Sequence, residues 1–313
     1  MADNSNGCHF KRGLDKDFMA KLKLESQGFG WFADVLADHD LILGIRDNYV
    51  NMYWHGQSLF KIERNGLKGS LKFSTHPKYL VNPDLYKPVS FDGSAFQVNG
   101  CELVNAEYAG PKTLGRMKRA AQLYRGDEKH GVHAIVRANP NVIDTEVAFS
   151  SEAEAEKSAC VPRIDLACFE DVNGLIRLRF WEAKLYSNDE IRAEGDTEAQ
   201  VVGQVRGYRG LIEKHRKDIV DSYREVSSNL VEMARWVTPQ RKVGELVKRV
   251  ADGASFTIDE TAFVGLIIYQ YVDAHKRSDR FKTEMKKLRR DALITVLCAG
   301  KASEIKLRGG NPD

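Results

Sequence analysis

The chain has 313 residues, of which 42% are hydrophobic and 29% are charged. This length suits one large domain or two smaller ones with buried cores. The net charge of +3 and the sequence pI of about 8.4 are too close to neutrality to indicate a polyanionic partner by themselves.

Cysteine usage and hydropathy indicate the cellular compartment in which the protein is expected to work. The five cysteines are odd in number and form no C-x-x-C pair, which favours a reducing environment over a disulfide framework. No N-terminal apolar segment follows a basic one, and the longest apolar stretch, near residues 263–272, is interrupted by Gly265 and Gln270. We therefore expect a soluble, cytoplasmic protein without a membrane partner.

Residues 1–110 are predicted to form an N-terminal β-rich module that starts with a loose, polar segment of about 20 residues. Four short segments then have strand character, namely 41–46, 49–55, 58–64 and 67–74. Turn signals separate them at Asp47-Asn48, His55-Gly56 and Asn65-Gly66. This pattern is typical of a β-meander.

A helical pattern returns at about residue 111 and opens a second predicted domain, residues 111–305. Basic residues cluster in four helical segments, namely 116–125, 213–217, 241–249 and 275–290. Such clusters are common on solvated helix surfaces, and they also suit contacts with a phosphate backbone. His130 and His133 have H-x-x-H spacing, but the sequence offers no recognisable second half of a zinc site.

A predicted hairpin carries the most informative pattern in the chain. Asn173-Gly174 favours a two-residue type I′ loop, so that Val172 pairs with Leu175. In this register Asp165 lies directly opposite Glu182, and directly opposed residues share one face of a sheet.

The two acids would be placed for metal chemistry. Carboxylates about 5 Å apart across a strand pair repel each other unless a positive charge lies between them. A divalent cation supplies that charge and lowers the pKa of a bound water molecule for attack on phosphorus. Lys184 shares the face of Glu182 and can orient that water. The alternative, a solvent-facing Asp165 beside an ordinary surface ion pair between Glu182 and Lys184, stays open.

Asp165 followed by Glu182-Ala183-Lys184 at the end of the next strand resembles the PD-(D/E)xK nuclease superfamily. Ile164 stands where the literal motif has proline, a departure that is common in the superfamily. The resemblance implies an α/β fold with a restriction-endonuclease-like mixed central sheet flanked by helices.

A second motif follows this strand. Thr197 and Gln200 form a capping-box signal, which predicts that a helix begins at about residue 198. Gln204 and Tyr208 lie one turn apart on this helix. A Q-x-x-x-Y helix after an E-x-K strand is similar to the RecB-like branch of the superfamily, in which both side chains lie beside the site.

The resemblance also implies roles for individual residues. Asp165 and Glu182 would bind Mg²⁺ or Mn²⁺ together with the main-chain carbonyl of Ala183, and Lys184 would position the attacking water.

A further upstream acid is usual in the superfamily. Segment 141–150 alternates as a strand and offers Glu146 on the same side as Asp144. In much of the superfamily this acid sits on the first helix, which here means Glu128. Glu146 is the preferred candidate, and Glu128 remains the alternative.

The rest of the second domain completes a sheet. We predict a helical insert at about residues 215–255, then a buried strand within 262–272 and another within 291–300. Residues 306–313 are predicted to be a disordered tail.

The sequence thus predicts a metal-dependent nuclease that hydrolyses phosphodiester bonds in nucleic acid. DNA is favoured by analogy alone, and a second copy or another subunit is a candidate partner for double-strand cleavage. Two alternatives remain: a non-catalytic nucleic-acid-binding or scaffold protein that keeps the fold, and a hydrolase of a smaller phosphodiester.

Overall fold

A computed structural model describes residues 10–27, 30–65, 69–80, 89–97, 107–149, 163–193, 197–259, 263–292 and 295–307. It is a mixed α/β protein with two β-sheets. The chain divides into two compact units. The meander unit comprises Arg12–His133 and Glu225–Val243, and the hairpin unit comprises Met1–Lys11, Ala134–Arg224 and Gly244–Asp313.

The helices and strands are numbered in chain order. The strands are β1 (Ile42–Ile45), β2 (Tyr49–Trp54), β3 (Gln57–Asn65), β4 (Ser70–Thr75), β5 (Val89–Phe91), β6 (Phe96–Gln97), β7 (Val142–Ala148), β8 (Arg163–Val172), β9 (Leu175–Leu185), β10 (Phe256–Ile258), β11 (Val264–Tyr269) and β12 (Val296–Ala299). The helices are α1 (Lys16–Ser26), α2 (Trp31–Ala37), α3 (Pro111–Gln122), α4 (Asp127–Ala138), α5 (Gln200–Lys214), α6 (Arg216–Ala234), α7 (Glu245–Ala251), α8 (Asp273–Arg277) and α9 (Asp279–Ala292).

The sheet of the meander unit runs β1-β2-β3-β4-β5-β6 in spatial order, and every pair is antiparallel. The four predicted strands of the meander are confirmed as β1 to β4. Trp31 of α2 packs its indole ring against Phe60, Phe73 and Phe91 on this sheet.

The predicted loose N-terminus is wrong from residue 10 onward. Phe10 and Leu14 are buried, and helix α1 starts at Lys16 because the Asp15 carboxylate caps it by accepting a hydrogen bond from the Phe18 N–H. Residues 1–9 lie outside the described part of the chain.

The division into units differs from the predicted boundary at residue 110. Helix α3 packs against the 3₁₀ helix Pro77–Leu80 and against β3, which groups it with the meander. Part of the predicted helical insert joins the same unit, because Asn229 of α6 hydrogen-bonds the backbone of Leu14 and Arg241 donates to the carbonyl of Leu36.

The sheet of the hairpin unit has the order β12-β11-β9-β8-β7. The short strand β10 pairs with β9 at residues 176–178, and β11 pairs with the next part of β9, residues 180–185. Strand β8 is antiparallel to both of its neighbours, β7 and β9, whereas β10 and β11 are parallel to β9 and β12 is parallel to β11. The sheet is therefore mixed. The two strands predicted within 262–272 and 291–300 are confirmed as β11 and β12. The predicted burial is confirmed for β11, whereas in β12 Val296 is buried and the other three residues are half-buried.

Two predicted boundaries need correction. Helix α5 begins at Gln200 with Ala199 rather than Thr197 as its N-cap, about two residues after the predicted start. The predicted disordered tail begins too early, because Leu307 is buried and its N–H donates to Asn139 Oδ1 at 2.8 Å. The rest of that tail, residues 308–313, lies outside the described residues. Within the described ranges, each helix is too short or too polar to cross a lipid bilayer.

Candidate active site

The β8–β9 hairpin has the predicted register. Asn173 and Gly174 have φ values of 55° and 81°, as a type I′ turn requires. The Asp171 carboxylate accepts the Gly174 N–H at 2.8 Å and so stabilises the loop. Pairing then runs without a shift from Val172–Leu175 to Leu166–Trp181.

Trp181 fixes which face of β9 carries the candidate site. Its indole N–H donates to the buried Glu170 carboxylate at 2.7 Å, and its ring packs over Gly265 of β11, where any side chain would overlap it. Successive side chains of a strand point to opposite faces. Glu182 and Lys184 therefore lie on the face opposite Trp181.

The backbone ladder between β8 and β9 ends one pair before Asp165. The Asp165 carboxylate continues it, because Oδ2 accepts the N–H of Ala183 at 2.9 Å. Asp165 and Glu182 are 5% and 4% exposed. Two carboxylates are thus buried next to each other at the end of the hairpin, where desolvation favours a nearby cation.

Lys184 lies between two acids. Its ammonium nitrogen is 3.0 Å from Glu182 Oε1 and 2.6 Å from Glu190 Oε2. Glu190 belongs to the 3₁₀ helix Asp189–Ile191, which Asn188 caps by accepting the Glu190 N–H. The hydrogen bond from Lys184 lowers the pKa of Glu190 below its ordinary value. Glu190 is a site residue that the sequence analysis did not identify.

Helix α5 places Gln204 and Tyr208 beside these groups. Gln204 Nε2 donates to Glu190 Oε2 at 3.3 Å. Its buried carbonyl oxygen accepts no hydrogen bond within the described part of the chain. Tyr208 donates to the main-chain carbonyl of Arg163 at 2.9 Å. Burial raises the pKa of Tyr208, and the negative charges of Glu182 and Asp165 raise it further, so all three side chains lie close together.

Glu146 lies on β7 between two residues that pair with β8, Thr145 with Leu166 and Val147 with Ile164. This position is opposite Asp165. The backbone of Glu146 is left-handed, with φ of 54°, and its carboxylate lies 3.6 Å from the guanidinium of Arg163. The carboxylate of Glu146 thus has a cationic neighbour, the side chain of Arg163.

The other upstream acids have different surroundings. Asp144 is buried on β7 and accepts hydrogen bonds from the Tyr223 hydroxyl at 3.0 Å and from the Thr145 N–H at 2.8 Å. Glu128 lies on α4 in the part of that helix that belongs to the meander unit.

The donor set suits a hard divalent cation. Carboxylate and carbonyl oxygens are the ligands that Mg²⁺ prefers, and it uses one or two carboxylates while keeping several waters. Asp165, Glu182 and the carbonyl of Ala183 would provide such a set. Among the residues that the structure describes, Asp165 and Glu182 do not form a cluster of three ligands with another acid. In the described part of the chain, the one set of three side chains whose ligand atoms all lie within 4.8 Å of one another is formed by other residues.

A cleft with a volume of about 1090 Å³ lies beside the site, and Glu190 is part of its wall. Charged side chains of both signs line it, namely the acids Asp189, Glu190, Glu198, Asp279 and Glu284 and the bases Arg192, Arg280 and Lys287. Arg192 and Arg280 both lie within ion-pair distance of Glu284.

Comparison with known proteins gives no family for this chain. No family model, no curated protein and no solved structure matches it.

Proposed function

We propose that the chain is a Mg²⁺- or Mn²⁺-dependent nuclease whose hairpin unit has a restriction-endonuclease-like core. Asp165 and Glu182 would hold the metal ion together with the Ala183 carbonyl. The substrate would be nucleic acid, with DNA favoured over RNA by analogy. The observation that carries the proposal is the burial of both acids at one end of the hairpin, with Lys184 beside them.

Hydrolysis of a phosphodiester needs a positioned nucleophile and neutralised negative charge, and it needs no covalent intermediate. When bound, the metal ion would neutralise charge on the phosphate and lower the pKa of a water molecule. The side chains of the two acids that would bind the ion are already held by other groups of the chain. Asp165 is fixed by the Ala183 N–H, and Glu182 is fixed by the Lys184 ammonium group.

Lys184 would orient the attacking water. Its ammonium group is held in the site by contacts with the carboxylates of Glu182 and Glu190. Glu190 acts as a positioning residue, because it also accepts a hydrogen bond from Gln204. The buried carbonyl oxygen of Gln204 is an acceptor for water or for a nucleotide N–H.

A long polyanion suits the surface of helices α8 and α9. Phe281, Met285 and Leu288 form the buried face of α9. Exposed basic residues cover α8 and the other face of α9, namely Lys276, Arg277, Arg280, Lys282, Lys286, Arg289 and Arg290. A small phosphodiester would not need so extended a cationic surface. This distribution favours nucleic acid over a nucleotide as the substrate.

The test is cleavage of supercoiled plasmid and of single-stranded DNA in Mg²⁺, in Mn²⁺ and in EDTA. Glu182→Gln and Lys184→Ala are expected to lower the rate at least about 100-fold, as for loss of a group that stabilises transition-state charge.

Glu170→Gln is the matched control. This acid is buried in the same hairpin on the opposite face, and burial raises its pKa, so the neutral amide suits its environment. Metal-dependent cleavage that survives Glu182→Gln at the wild-type rate would refute the proposal. Binding of DNA without cleavage in any metal would favour a non-catalytic binding protein instead.

A further inference from the structure

A cluster of histidines and one aspartate lies in the meander unit, whereas the residues of the proposed nuclease site belong to the hairpin unit. Asp40 follows helix α2, His55 occupies the β2–β3 turn, and His133 lies on α4. One ligand atom from each of these side chains lies within 4.8 Å of the other two. Three segments that are distant in sequence thus bring two imidazoles and a carboxylate to one point.

The spacing suits a transition-metal ion. His133 Nε2 lies 3.3 Å from Asp40 Oδ1. Two ligands of a tetrahedral ion with bonds of about 2.0 to 2.1 Å lie about 3.4 Å apart. Imidazole together with carboxylate is a donor set that Zn²⁺ and its neighbours in the first row accept.

The surroundings hold the ligands in place. Asp40 Oδ2 accepts the indole N–H of Trp54 at 2.6 Å and lies 3.5 Å from the ammonium group of Lys118. His130 Nδ1 lies 2.9 Å from His55 Nδ1, so a hydrogen bond orients the ring of His55. Such contacts to the non-ligating atoms of metal ligands are a regular feature of metal sites.

The backbone is shaped to bring the turn and the helix together. His55 has φ of 46° and Gly56 has φ of 74°. A side chain at position 56 would collide with the stem of Lys129 on α4, so glycine permits the close approach. The left-handed conformation is uncommon for residues other than glycine, and at His55 it directs an imidazole toward α4.

We propose that Asp40, His55 and His133 bind one divalent transition-metal ion, which crosslinks the segment after α2, the β2–β3 turn and α4. The site is independent of the proposed nuclease chemistry, and its role is structural. His133 now accepts the His55 backbone N–H at Nδ1. Ligation through Nε2 moves the ring proton to Nδ1 and replaces that hydrogen bond with the metal bond.

The test is Zn²⁺ binding to the full chain, by isothermal titration calorimetry and by metal analysis after gel filtration. The wild-type chain is expected to retain about one Zn²⁺, and retention of this ion should require both His55 and Asp40. Zn²⁺ is also expected to raise the melting temperature of the wild type by several degrees. His55→Asn keeps a residue that tolerates positive φ, and Asp40→Asn keeps an acceptor for Trp54. Each is expected to weaken Zn²⁺ binding at least about 10-fold.

Controls separate this site from general metal binding and from misfolding. His275→Gln removes an exposed histidine outside the cluster and should bind Zn²⁺ like the wild type. Each variant is compared with the wild type by its metal-free melting temperature, and Co²⁺ absorption reports coordination geometry separately from stability. The proposal is overturned if the wild type binds no more Zn²⁺ than its His55→Asn variant, or if Zn²⁺ leaves its melting temperature unchanged.

Discussion

The Asp165 carboxylate replaces a backbone partner, because its Oδ2 accepts the Ala183 N–H at 2.9 Å at the point where the β8–β9 ladder stops. One side chain therefore has two tasks, holding the end of the hairpin and presenting a buried negative charge. The two tasks can be separated by substitution, since an amide keeps an acceptor oxygen and loses the charge.

Asp165→Ala is expected to destabilise the fold by about 1 to 3 kcal/mol, because it leaves a buried N–H without its acceptor. Asp165→Asn should cost less than Asp165→Ala while abolishing metal-dependent cleavage. Urea denaturation and plasmid cleavage measure the two effects. Equal stability of the two variants would show that the bond to Ala183 does not hold the hairpin end.

Lys184→Met is expected to cost about 3 to 5 kcal/mol, because it removes the cationic partner of the buried Glu182 carboxylate. Adding Glu182→Gln should recover part of this loss, because position 182 is then neutral while Glu190 still lacks its ammonium partner. A double-mutant cycle, with each free energy of unfolding measured by urea denaturation, gives the coupling free energy between the two side chains. Additive effects of the two substitutions would contradict a close pairing of these side chains.

Glu190 links the site to pH. Its pKa is lowered from the ordinary 4.5, mainly by the hydrogen bond from Lys184. A lowered pKa in the folded state means that its contribution to stability is present above the ordinary value and is lost as pH falls through the lowered one. We expect wild type and Glu190→Gln to differ most near pH 7 and to converge as pH falls below 4.5 and through the lowered pKa of Glu190. Urea denaturation across this range tests the trend, and a gap that widens toward acid would have the wrong sign.

Gly265 makes room for Trp181 on β9. Gly265→Ala places a methyl group in the space that the indole ring of Trp181 occupies. The resulting overpacking is expected to lower the free energy of unfolding by about 1 to 3 kcal/mol. Because Glu182 follows Trp181 directly, cleavage should also fall. Gly207→Ala on α5 is the control: its added methyl group meets nothing within 4 Å, so it should stabilise by about 0.5 to 1 kcal/mol. Thermal denaturation distinguishes the two, and equal melting temperatures would contradict the close packing.

Local sequence signals predict a large part of the fold. The Asn173-Gly174 loop specifies the hairpin register because only a few residue types accept two consecutive positive φ angles. Strands β11 and β12 are predictable as short apolar runs, and the meander as strands between turn signals. Helix α1 also has a local signal, the Asp15 cap before Phe18, which the expectation of a loose N-terminus overlooks.

Features built by tertiary contacts are not predictable in this way. Glu190 reaches Lys184 because the single 3₁₀ turn after β9 folds back toward the strand. No residue pattern in the sequence predicts this contact. The pairing of Asp40 and His55 with His133 needs three separate segments to meet, so H-x-x-H spacing alone identifies one of the three proposed ligands, His133. A register shift between Val142 and Asp144 interrupts the strict alternation that the sequence of β7 predicts.

Mn²⁺ binding measured by electron paramagnetic resonance tests the central claim most directly, because it reports the ion that Asp165 and Glu182 are proposed to hold, without requiring a substrate. The wild type and Glu170→Gln are expected to bind Mn²⁺ alike, and His55→Asn should keep this ion because it alters only the meander unit. Glu182→Gln should lose it. Mn²⁺ binding that is equal in Glu182→Gln and the wild type, or absent from both, would contradict the account.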